Sequence, residues 1–96
     1  MHARVTHRKD EPAEVDEHIR INTETVFPAL KKLSGFKAAY FMVDRKTGEG
    51  LGVTLWESEE AMRSSEEAVK QLREQVVSTH ATHVTGVDRY EVVAQA

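Results

Sequence analysis

Cysteine is absent from the 96-residue chain, which removes disulfide frameworks, thiolate nucleophiles and cysteine metal ligands together. No run of 18 apolar residues occurs, so no helical membrane span is expected, and no leader with an apolar core reads as a secretory signal. Basic residues form no stripe. They are mixed with acidic ones throughout, and the formal charge of −3 argues against a nucleic-acid groove. Internal repeats and low-complexity segments are missing as well. These absences leave a cytoplasmic protein as the expectation, with no redox role for the polypeptide. Residues 1–96 are enough for a single domain with one modest core, a size at which oligomerisation is an expected source of added stability.

What is present is organised around 35–60, GFKAAYFMVDRKTGEGLGVTLWESEE. Phe36, Ala38, Tyr40 and Met42 share one strand parity, and Ala39, Phe41 and Val43 share the other. Both sets are apolar, so the strand needs cover on two sides. Asp44 to Glu49 make the turn, with Gly48 free to take a positive φ. The returning strand puts Leu51, Val53 and Leu55 on one face and Gly50, Gly52, Thr54 and Trp56 on the other. One cover is expected from the chain's own helices, the second from another copy of the chain.

The flanking segments supply those helices and two more strands. Ala3 to Arg8 reads as a strand with Val5 and His7 on one parity and Arg4, Thr6 and Arg8 on the other. Pro12 suits a first helical position. Val15, Ile19, Val26, Leu30 and Leu33 then repeat at helical spacing, with the polar Asn22 interrupting the stripe. Pro28 predicts a bend or break between Phe27 and Leu33, and Gly35 a C-terminal stop. Ser58 predicts the cap of a second helix whose stripe is Met62, Ser65, Val69, Leu72 and Val76, with a break near Ser64 and Ser65. His83 to Ala94 alternates as a last strand, and Gly86 marks a bulge. The order βαββαβ predicts a four-stranded antiparallel sheet with both helices on one face and the first strand between the third and fourth. The uncovered apolar face predicts a two-fold homodimer.

Chemistry is harder to find. Five histidines are present, but His80 and His83 lie at a helix-to-strand transition without matching carboxylate or thiolate spacing, so no metal is expected. His18 lies beside the first helix's stripe and reads as a partly exposed structural residue. Gly48-x-Gly50-x-Gly52 sits within a hairpin rather than opening a helix, so it lacks the context of a phosphate loop. The stronger candidates are Trp56 and Asn22, which are expected to flank one cavity lined by Tyr40, Phe41, Met62 and His80. Apolar walls with a few polar atoms suit an aromatic ligand, although Trp56 also reads as the core's largest wedge and Asn22 as a packed amide.

The stretch FPALKKLSGFKAAYFMVDRKTGEGLGVTLWESEEAM resembles the antibiotic biosynthesis monooxygenase-like family of the dimeric α+β barrel superfamily. The specific pieces are Ser34-Gly35-Phe36, Trp56-Glu57-Ser58-Glu59-Glu60-Ala61 and the closing Tyr90-Glu91-Val92-Val93. The resemblance implies ferredoxin-like protomers joined into a dimeric barrel. It also implies oxidation of an aromatic or polycyclic molecule by O2 without cofactor, with Trp56 and Asn22 as catalytic residues and Tyr40 beside them. In the haem-degrading branch an asparagine on the first strand and a histidine on the second helix are expected. Here Val5 and His7 occupy that strand and Ser65, Glu66 and Glu67 that part of the helix, which counts against haem degradation. A non-catalytic small-molecule-binding or structural homodimer is the alternative.

Overall fold

The computed structural model describes residues 1–79 and 82–96, and the side chains of 76–79 and 82 are not considered further. His80, and the side chain of Val76, therefore lie outside the described residues. Four strands, β1 (His2–Asp10), β2 (Phe36–Val43), β3 (Glu49–Trp56) and β4 (Thr82–Glu91), form one sheet in the order β2-β3-β1-β4. Every neighbouring pair is antiparallel. The first strand does lie between the third and fourth. The last strand stops at Glu91 rather than Ala94.

The first helical run begins with a short 3-10 turn at Pro12–Glu14 and continues as α1 (Val15–Ile21), a π turn at Asn22–Val26 and α2 (Phe27–Lys31). The irregularity expected after Phe27 lies before it. The cause is still Pro28: its ring would press on the carbonyl four residues back, and a wider turn relieves that contact. The Phe27 amide accordingly donates to Asn22 O, five residues back. The chain then reverses at Gly35, whose φ of 78° is costly for any residue with a Cβ.

The second helical run is capped as expected, with Ser58 Oγ accepting from Ala61 N at 3.1 Å. It breaks into α3 (Glu59–Ser64) and α4 (Glu66–Thr79). At the break Ser65 Oγ donates to the Met62 carbonyl at 2.7 Å, a local bond that competes with regular helix.

Two bulges decide which side chains face the helices. The register shifts between Phe36 and Ala38, so Phe36 joins the Ala39 face and packs on the core instead of sharing a face with Tyr40 and Met42. A second shift pairs His7 with Gly86 but Arg8 with Val84, placing a bulge where Gly86 predicts one. The core under the helices gathers Leu30, Trp56, Met62 and Val69. Tyr40, Met42 and Tyr90, in contrast, are half exposed on the uncovered face.

The hairpin turn is tied to the end of β1. Gly48 has a φ of 82°, donates to Asp44 O at 2.8 Å and accepts from Asp10 N at 2.8 Å. A Cβ at Gly48 would collide with the Asp10 carbonyl, so glycine is required there twice over.

Candidate functional site

Between the helices and the sheet lies a cleft of about 90 Å³, partly open to solvent. From the helices come Asn22, Val26, Phe27, Leu30, Val69, Leu72 and Arg73. From the sheet come Arg4, Thr6, Arg8, Ala39, Tyr40, Phe41, Gly52, Val53, Thr54 and Val84. Asn22 and Phe41 border this cleft, and Tyr40 borders it from a strand position whose side chain is on the uncovered face. Trp56 and Met62 belong to the adjoining core and are not part of the lining.

Trp56 is wholly buried. Its indole N–H donates to Thr54 Oγ1 at 2.9 Å, its ring meets Phe36 edge-on at 5.5 Å, and the Arg4 guanidinium lies 5.6 Å from its centroid. Thr54, two residues back on the same strand face, is the group that reaches the cleft. Asn22 is also buried, and its Nδ2 donates to the His18 carbonyl one turn earlier, at 2.8 Å. Both donors thus have protein acceptors.

His18 differs from its expected exposure: it is fully buried, with Nδ1 3.0 Å from Asp10 Oδ2. The reason is the position of Asp10, which ends β1 under the first helix and is itself buried. His7 does reach the last strand, where Nε2 stands 2.9 Å from Asp88 Oδ2. Among the described residues no group of three potential ligands is placed to hold a metal ion.

Three arginines are the part of the site that motif reasoning passed over. Arg4 is almost completely buried; its Nη2 donates to Met62 O at 2.8 Å and Ser65 Oγ at 3.2 Å, and stands 3.1 Å from Glu66 Oε1. Its Nε and Nη1 are buried without hydrogen-bond partners. Arg8 lies over the Phe41 ring at 4.6 Å, with Nε 3.5 Å from Asp10 Oδ1. Arg73 reaches the same cleft from α4, and burial followed by the charge of Arg4 pushes its pKa down. Glu66 is held at a pKa of about 2, chiefly by its hydrogen bonds from Arg89 and also by Arg4, against the opposing effect of burial. The available signal was the alternation of Arg4, Thr6 and Arg8 on a strand that topology makes central. Such a parity faces either water or the helices, and only the packing of the second helical run decides which.

The architecture is the ferredoxin-like α+β fold of the antibiotic biosynthesis monooxygenase-like proteins. The chain superposes on the Streptomyces coelicolor monooxygenase ActVA-Orf6, solved with nanaomycin D, with a TM-score of 0.73 and 22% identity over 99% of this chain and 88% of that one. It superposes with a higher TM-score, 0.79, on the haem degrader MhuD of Mycobacterium tuberculosis, solved with two haems, at 14% identity over 100% and 99% of the chains. A dimeric ferredoxin-like protein from an uncultured marine organism gives 0.68 at 13% identity over 99% and 96%. In sequence, the chain is 35% identical over 74 residues to the uncharacterized protein Rv2558 of Mycobacterium tuberculosis, covering 77% of this chain and 31% of the relative. The chain thus spans about a third of the length of that curated relative. No family model matches it.

Proposed function

We propose that this chain is a monooxygenase-like protein that holds an aromatic or polycyclic molecule in the cleft and exposes it to O2 without a cofactor. The observation that carries this reading is the cleft itself: mostly apolar, with Asn22, Thr6, Thr54 and the arginines Arg4, Arg8 and Arg73 as its polar groups, in a fold shared with ActVA-Orf6. In such a reaction a ring CH2 becomes C=O, one oxygen atom enters the product and the other leaves as water, so the electrons of the substrate suffice. The chain's own task is to orient the ring and steady negative charge once the ring is deprotonated. Asn22 is the candidate for the second role in the cleft, with Phe41 in its wall. Trp56 acts one layer behind, by fixing the Thr54 hydroxyl. The homodimer belongs to the same reading, since the second copy would cover the exposed sheet face.

Haem does not fit as well. No histidine, cysteine or methionine is among the cleft's described lining residues, and no histidine occurs between Ser58 and Thr79. A non-catalytic binding protein of the same fold is the second reading. It is favoured by one specific observation, that the Trp56 and Asn22 donors are already engaged by Thr54 and His18.

Oxygen uptake separates the two. With a panel of dihydroxynaphthalenes and anthrones in the presence of a chelator, the monooxygenase reading expects stoichiometric O2 consumption and a quinone product. Tight binding of panel members with no uptake above the protein-free rate would leave the binding reading in possession.

A further inference from the structure

We infer that the molecule this cleft accepts is an anion: a flat ring bearing a carboxylate or an equivalent oxyanion, held by Arg73 together with Arg4 and Arg8. The inference rests on the reading of the cleft as a small-molecule site and adds the charge of its occupant. A protein of net charge −3 lines this cleft with three arginines, and no carboxylate is among the described lining residues. Charge of that sign is therefore concentrated locally, against the overall composition.

The neighbouring acids are already shared. Glu66 serves Arg4 and is bound at 2.6 and 2.7 Å by Arg89, while Asp10 stands between Arg8 and His18. Arg73 has no hydrogen bond or ion pair among the described residues. Arg4 acts on it more strongly than either Glu66 or Glu74. Buried N–H groups without acceptors, Nε and Nη1 of Arg4 and Nη2 of Arg8, add to the deficit. A guanidinium presents paired N–H groups that match the two oxygens of a carboxylate, so an oxyanion answers both the charge and the missing acceptors.

The rest of the cleft suits a ring. Phe27, Leu30 and Phe41 are apolar walls, and Gly52 forms part of the floor. A Cβ built on Gly52 would meet only Thr6 Cβ, at 3.9 Å, so the space above it is open. The cleft is smaller than the ~150 Å³ cavity that encloses a benzene. A ring would therefore be only partly enclosed and would extend through the open side.

The test compares 2-naphthoate with its neutral counterpart 2-naphthamide by calorimetric titration at neutral pH and low salt. The wild-type protein should bind the naphthoate about tenfold more tightly. Arg73→Gln should remove most of that preference, with the loss falling mainly on the naphthoate, and Arg8→Gln provides a second, independent neutralisation. Gly52→Ala, whose Cβ would meet only Thr6 Cβ at 3.9 Å, should weaken both ligands. Equal affinity for the two probes, or a preference that survives both arginine variants, would overturn the anion inference while the small-molecule reading stands. Binding of neither probe would remove both.

Discussion

The guanidinium of Arg4 lies over the indole of Trp56, 5.6 Å from the ring centroid, while its Nη2 donates to the Met62 carbonyl in α3. One buried cation on the central strand thus joins the sheet's largest side chain to the bend of the second helical run. Trp56 has a second tie, the 2.9 Å bond to Thr54 Oγ1, which links this core to the cleft.

That second tie is measurable. Trp56→Phe removes a donor and leaves a small void, and should destabilise by about 1–3 kcal/mol. Thr54→Val orphans the indole N–H and should cost a similar amount, about 1–3 kcal/mol. In the Trp56→Phe background the Thr54→Val step should become nearly silent. Urea denaturation of the four proteins of this cycle checks it, and additive losses would show that the bond contributes nothing.

A second consequence concerns acid. The Glu66 carboxyl is depressed from 4.5 to about 2, first by Arg89 and then by Arg4. A depressed carboxylate contributes stability that is present above its unfolded pKa and lost as pH falls through the folded one. Wild-type Tm should therefore lose this contribution between about pH 4.5 and 2. Glu66→Gln should be less stable than wild type above that window, with the gap closing across it. A gap independent of pH would place the variant's effect elsewhere.

Helical and strand periodicities carry most of the fold, because each element's apolar spacing is a local property. Ser58, Ser65, Gly35, Gly48 and Gly86 are legible for the same reason: caps, stops and bulges follow from the residue's own geometry. Three readings fail where the answer is non-local. Phe36 changes face because of a bulge with no glycine to announce it. Pro28 displaces its disturbance backwards into the turn that holds Asn22. His18 is buried only because Asp10 reaches it from the end of another element. In the candidate cleft, the pattern points to Asn22 and Phe41, whereas Arg4 and Arg8 are hidden by looking like an exposed strand face.

Asn22 separates packing from function. Its side-chain bond is to its own helix, at His18 O, so Asn22→Leu loses about 1 kcal/mol of hydrogen bonding and regains apolar burial. Stability should stay within about 1 kcal/mol of wild type. Under the monooxygenase reading kcat/KM should fall roughly 10–100-fold on the substrate identified by oxygen uptake. Unchanged kcat/KM in a folded variant would take Asn22 out of the chemistry.

The uncovered sheet face carries the last prediction. Tyr40, Met42 and Tyr90 are 55%, 48% and 56% exposed, and Leu51 and Leu55 lie on the same face between them. The helices are committed to the opposite side, so no part of the described chain is left to cover this one. A second copy placed across a two-fold axis brings the same side chains together and removes the patch from water. Sedimentation equilibrium at micromolar concentration should then give about twice the 10.8 kDa chain mass, and Tm should rise with protein concentration. Leu51→Lys puts a charge into the middle of the patch, and symmetry introduces it twice. The variant should sediment as a monomer at the same concentration, with strand content retained by circular dichroism and a lower Tm. A wild-type protein that is a stable monomer with concentration-independent Tm would refute the dimer. A Leu51→Lys protein that stays dimeric would move the interface off this face.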